Sequence, residues 1–198
     1  MNRQLTVVAT FGLALAAVAC SPKSDQTEGA ATPAEQAATP SANPSATIPT
    51  PSDETAAPVF VEKAAASDMF EIEAAKLAQQ RSKNADVKSF ADMMVKDHTK
   101  STNDLKAAIQ ASGQNLAPPA ALPQDKQDAL NDLQNATDVD FDRKYMEGQV
   151  DAHQSALNLL QRYAQDGDVA QLKSFAASVA PVVQQHYDRA KSIRDALK

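Results

Sequence analysis

An all-α fold, a four-helix bundle with one long crossover, is what this sequence predicts for residues 58–198. Three observations carry the prediction. Ala, Gln, Leu, Lys and Asp dominate the second half of the chain, a helix-forming composition. Apolar side chains recur there at i, i+3 and i+4 over four stretches of about 25 to 30 residues each. The links after the first and third stretches are short, while the middle link spans about 25 residues, enough to cross a bundle end to end.

The N-terminus reads as an export signal. Asn2 and Arg3 form a weakly basic start, Leu5 to Val18 an apolar run, and Ala17-Val18-Ala19 a small-x-small cleavage pattern. Cys20, the only cysteine, follows directly, and no intrachain disulfide is available to it. This arrangement resembles the lipobox of bacterial lipoproteins, with Ala17 where Leu is usual; it implies a signal peptide over 1–19 and a diacylated Cys20. Ser21 follows rather than Asp, so the resemblance implies the periplasmic side of the outer membrane. Ordinary cleavage would instead leave a free thiol on a soluble periplasmic or secreted protein. Residues 20–57 are Ser, Thr, Pro, Ala and acidic residues, with Ile48 the one large apolar side chain. Such a stretch buries too little surface to offset the entropy of ordering it. It is expected to be a disordered tether with a mean reach on the order of 35 Å.

The first helix is expected from Val59 to Lys83, with Phe60, Val61, Ala64, Ile72, Ala75 and Ala78 on one face. Asn84 to Asp86 can end it and cap the next. The second runs to Ser112, where Gly113 is a stop; its stripe is Val87, Phe90, Ala91, Met94, Leu105, Ala108 and Ile109. Three prolines make Gln114 to Pro123 a loop, and Gln124 to Leu133 fits a short helix. The third main helix spans Asp138 to Gln165, with Phe141, Tyr145, Met146, Leu157, Leu160 and Tyr163 inward, and Gly167 breaks the chain. The fourth carries Leu172, Phe175, Val179, Val182, Val183, Ala190, Ile193 and Leu197 on one face. Pro181 lies within it and is expected to kink it or mark a boundary. A single long crossover between the second and third helices is the ferritin-like connection.

The formal net charge of −6 argues against nucleic-acid binding, which usually relies on a basic patch. After the N-terminus no apolar run is long enough to span a bilayer. The membrane is therefore an expected partner through the lipid anchor alone, and no protein partner is identified.

Ionisable side chains on apolar stripes are the functional lead, because an unpaired buried polar group is costly. At 100° per residue, Glu71, His98, His153 and His186 each fall within the stripe of a different helix. With the crossover topology all four come within roughly 8 Å of one another along the bundle axis. Imidazoles with a carboxylate suit zinc, copper or iron, and Met94 could add a soft ligand. The competing reading is a structural network in which the histidines bond to Glu71, Gln149, Tyr145 or buried water. A di-iron centre is disfavoured, since it needs Glu three residues before His on two helices, and Val95, Val150 and Val183 stand there instead. No phosphate loop or nucleophile elbow is present, so no enzyme activity is expected.

The segments Phe60-Val-Glu-Lys-Ala-Ala, Met69-Phe-Glu71-Ile-Glu-Ala-Ala-Lys-Leu-Ala and Val87-Lys-Ser-Phe-Ala-Asp-Met-Met-Val-Lys-Asp97-His98 resemble the bacterial "domain of unknown function 4142" family. So do Phe141-Asp142-Arg-Lys-Tyr145 with His153, and Pro181 with His186. The resemblance covers about residues 59 to 197. It implies a ferritin-like, exported protein and recurrent positions at Glu71, Asp97, His98, Phe141, Asp142, Tyr145, His153 and His186. It implies no chemistry. Three functions remain open at this level: an envelope binding module acting through its helical surface, a metal-binding or redox protein using the buried cluster, and a structural spacer.

Overall fold

The computed structural model describes residues 53–197; the signal peptide, Cys20 and most of the tether lie outside that range. Five helices follow one another: α1 (Ala57–Arg81), α2 (Ala85–Ser112), α3 (Gln124–Gln134), α4 (Asp138–Asp166) and α5 (Ala170–Ala196). Local chemistry sets their ends. The Asn84 side chain accepts from the backbone N–H groups of Asp86 and Val87 and so caps α2. Gly113 terminates that helix in the left-handed region, at φ 68°. Thr137 Oγ1 accepts from Asp140 N at the start of α4 and donates to Asp140 Oδ2, a reciprocal cap.

The four long helices form a bundle in which α1 packs on α2 and α4, and α5 packs on α2 and α4. Ends identify the topology. Arg81, at the end of α1, pairs with Asp138 at the start of α4. Asp86, at the start of α2, pairs with Arg189 late in α5. Phe60, early in α1, stacks on Tyr163 late in α4. All four packed pairs are therefore antiparallel, and the 113–137 link runs the length of the bundle with α3 inside it. Arg81 pins the far end of that link: its guanidinium donates to the carbonyls of Leu133, Gln134 and Ala136 and lies 4.6 Å from the centre of the Phe141 ring.

Two apolar clusters fill the bundle. The distal one holds Phe60, Leu105, Ile109, Leu157, Leu160, Tyr163, Leu172 and Phe175. The proximal one holds Phe70, Val87, Phe90, Met94, Phe141, Tyr145, Met146 and Ile193. Between them lies a layer of buried polar side chains: Asp68, Glu71, His98, Ser101, Gln149, His153 and His186.

Several expectations need correction. Fixed contacts begin earlier than residue 58: Glu54 pairs with Lys63 and Arg162, and Thr55 O accepts from Asp168 N. Among the described residues the packed domain therefore already includes Glu54 and Thr55, and Ala57 is buried in the distal apolar cluster. Val182 is 37% exposed rather than inward; on the helical wheel it lies about 70° from the centre of the buried α5 set, past the edge of a stripe. Ile72 and Leu197 are only half-buried, and Phe70 takes the core position instead. Pro181 marks no boundary, for α5 continues through it. Its ring and Ala177, whose carbonyl loses a helical donor, both face solvent.

Candidate metal centre

Each histidine is delivered by a different helix: His98 by α2, His153 by α4 and His186 by α5. All three are buried, and their ring centroids form a nearly equilateral triangle with sides of 5.6, 5.6 and 5.4 Å. One ring nitrogen from each lies within 4.8 Å of those of the other two. Heptad-like spacing places them there. His98 is one turn after Met94, His153 one turn after Gln149 and His186 three residues after Val183, so each continues a buried stripe.

The outer nitrogen of every ring is already engaged by an acceptor. His98 Nδ1 is 2.8 Å from Asp68 Oδ1, His153 Nδ1 is 2.8 Å from the backbone oxygen of Gln149, and His186 Nε2 is 3.1 Å from Asp97 Oδ2. A carbonyl or an ionised carboxylate can only accept, so the N–H of each neutral imidazole is spent outward. The remaining nitrogens, His98 Nε2, His153 Nε2 and His186 Nδ1, are buried and have no hydrogen-bond partner among the described residues. Three unpartnered ring nitrogens, each on a ring held by an acceptor at its other nitrogen, form the ligand-and-support pattern of a histidine metal site.

Protonation follows from the surroundings. Burial works against the charged form of His98, but the Asp68 hydrogen bond and the charges of Glu71, Asp68 and Asp97 outweigh it, and its pKa stands above the ordinary value. Burial is the main cause that lowers His153. His186 is pushed down to about 4 by burial, with the neighbouring His153 and His98 adding to the effect against the Asp97 hydrogen bond. Burial thus favours the neutral, lone-pair-bearing form of His153 and His186, while the carboxylates around His98 make it hold its proton more tightly.

Glu71 does not join the converging set. It is buried, yet its Oε2 accepts from Gln149 Nε2 at 2.6 Å, which turns the carboxylate toward α4 beside the triangle. The expected four-ligand group is therefore three imidazoles with Glu71 as a nearby charge. Met94 is fully buried in the proximal apolar cluster. Asp97, about 100° round α2 from His98, reaches the site through His186 across the α2–α5 seam. Gln149 serves twice, through its carbonyl to His153 and its amide to Glu71. Tyr145 stacks on Phe141, and burial followed by the Glu71 charge keeps its hydroxyl protonated. Its Oη and Asp142 Oδ1 are buried without a partner among the described residues.

Asp68 is the residue sequence reasoning missed. It is buried, holds His98 through Oδ1 and accepts from Thr102 Oγ1 through Oδ2 at 3.3 Å. The signal was available: Asp68 is four residues after Ala64 and three before Glu71, on the flank of the same stripe.

The donor set fits an ion. Three nitrogens about 2.0–2.1 Å from one metal are roughly 3.4–3.6 Å apart, so the rings close on it by shifts on the order of 1 Å.

Comparison with known proteins supports the architecture. No curated protein matches the chain. Among solved structures, "CopM in the Cu(II)-bound form" superposes with a TM-score of 0.61 at 16% identity, covering 72% of this chain and 98% of that one. "CopM in the Ag-bound form (by co-crystallization)" gives 0.57 at 17% identity over 71% and 96%. A DUF305 fragment from Deinococcus radiodurans gives 0.59 at 13% identity over 69% and 93%. At these identities the likeness establishes a shared helical-bundle fold. The family described as "Domain of unknown function (DUF4142)" matches residues 35–193, and the chain belongs to that family.

Proposed function

We propose that this protein is a metal-binding module of the cell envelope, holding one transition-metal ion on His98, His153 and His186. One observation carries the reading: three buried imidazoles bring one ring nitrogen each within 4.8 Å of the others, and every ring has one nitrogen held by an acceptor and one without a partner among the described residues. Each unsatisfied buried acceptor costs about 1–3 kcal/mol, and an ion held by all three rings at once would remove that cost. Imidazole donors suit copper, zinc and iron. Copper is the first to test, since the structurally similar CopM is described in Cu(II)-bound and Cu(I)-bound forms. A three-histidine set leaves a coordination position for water or a passing ligand. The role is holding or handing on the ion rather than turnover. Cys20, acylated, would tether the module to the periplasmic side of the outer membrane.

The test uses full-length protein carrying Cys20→Ser, purified without a histidine tag, so that no other strong ligand competes. Titration with Cu(II) and Zn(II), followed by elemental analysis, is expected to give one ion per chain. The stoichiometry should be lost in His98→Ala, His153→Ala and His186→Ala. A wild-type melting temperature indifferent to chelator and to both ions would leave a polar network and reject the metal centre.

A further inference from the structure

How an ion reaches a site enclosed by four helices is answered by the packing. Of the four helix–helix seams around the bundle, that between α1 and α4 is the thinnest. Small side chains line it: Ala64, Ala66 and Ser67 on α1, and Ala152, Ser155 and Ala156 on α4. Over the outside of this seam lies a groove of about 350 Å³, rimmed by Glu54, Glu62 and Asp125 and floored by Ser67, Ala156 and Leu159. The same three residues also line a second, smaller void of about 30 Å³. Its inner wall includes His98 and Asp68. His98 is buried and its Nε2 has no partner among the described residues. A void of that size is about the volume of one water molecule, or of one ion stripped of most of its shell.

Resting on the metal-centre reading, we propose that the ion enters and leaves through the α1–α4 seam, from the groove past Ser67, Ala156 and Leu159 to Asp68 and His98. Two observations support it: the groove and the void share Ser67, Ala156 and Leu159 as lining, and the void is also lined by the Asp68–His98 pair that backs the site. The chemistry fits a cation. Glu62 and Asp125 stand at the mouth, and Asp68 is the carboxylate at the inner end, fixed there by His98 and Thr102. Lys63 at the rim is paired with Glu54, and Lys126 lies over the Phe70 ring, 5.1 Å from its centre, so neither cation stands unengaged at the mouth. The other seams offer less: the α2–α5 seam is spanned by the Asp97–His186 pair at the level of the site.

The experiment is stopped-flow uptake of Cu(II), and its release to an excess of chelator, in full-length protein carrying Cys20→Ser. Ser67→Leu and Ala156→Leu fill the shared wall. Each is expected to slow uptake and release together by tenfold or more while the equilibrium constant and the stoichiometry stay at wild-type values. Leu159→Ala opens the wall and is expected to speed both. Ala177→Leu, on the solvent side of α5, is expected to leave both rates unchanged. Wild-type rates in folded Ser67→Leu or Ala156→Leu, no acceleration in Leu159→Ala, or equal slowing in Ala177→Leu overturns the route and leaves the metal centre standing. Absence of any Cu(II) uptake by the wild type at equilibrium overturns the metal centre, and the route with it. Leu159→Ala keeps the proposal open to refutation should a filled variant fail to fold.

Discussion

Replacing Asp68 by Asn removes one charge from the polar layer and almost nothing else. The amide oxygen still accepts from His98 Nδ1, so the ring stays where the 2.8 Å contact puts it. What is lost is charge assistance. A buried hydrogen bond to a charged group contributes about 1.5–3 kcal/mol and a neutral one about 0.5–1.5, so the expected destabilisation is about 1–2 kcal/mol. For a bundle of this length that is a fall of about 2–8 °C in melting temperature. The pH dependence gives a sharper test. Because the His98 pKa is raised above the unfolded value, its contribution to stability is fully present below about pH 6.5 and fades as pH rises through the folded value. Without the Asp68 carboxylate, burial gains ground against the charged ring, the His98 pKa drops, and this acid-side stabilisation shrinks. Metal affinity should fall as well, by about 10- to 100-fold, the usual cost of an altered group behind a ligand. Melting curves at pH 5.5, 7 and 8 without metal, an NMR titration of the His98 ring, and a Cu(II) titration read the three effects. A variant whose His98 titrates as in the wild type, with unchanged affinity, refutes the claim that Asp68 holds the ring.

Other expectations follow from the same geometry. His186, held down to about 4, has the opposite sign. Its unfolded form takes up a proton first, so metal-free stability should decline from about pH 6.5 toward 4, by up to about 3 kcal/mol, and His186→Asn should flatten that decline in a melting-temperature profile. Arg81→Ala strips the donors from three carbonyls at the end of the crossover and should cost about 1–3 kcal/mol; faster amide exchange confined to residues 131–138 would show it, and unchanged exchange would deny Arg81 that role. Gly167→Ala would place a Cβ 2.5 Å from the Tyr163 ring and should cost about 1–3 kcal/mol in denaturant unfolding, despite an ordinary backbone angle. Cys20→Ser should move the protein out of the membrane fraction; unchanged fractionation would mean that Cys20 is not the anchor.

Most of the fold is written in local sequence. The 3.6-residue period of the apolar stripes, the Asn84 cap and the Gly113 stop are each decided by residues within one or two turns, and helix ends followed from them to within a few positions. The length of the 113–137 link set the topology, because only a full-length crossing uses that many residues. The same periodicity put the three histidines on inward faces, and height along the axis put them in one layer. What the sequence could not determine is where each ring turns and what meets it. Glu71, central on its stripe, is drawn aside by a Gln149 amide from another helix, while Asp68, on the flank, reaches His98 across the α1–α2 seam. Asp97, the neighbour of His98 in sequence, closes instead on His186 of α5. Those choices depend on interhelical distances and rotations of an ångström or two, and hydrogen bonds form or fail over that range. Period fixes the face a residue occupies; only the packed bundle fixes the atom it touches.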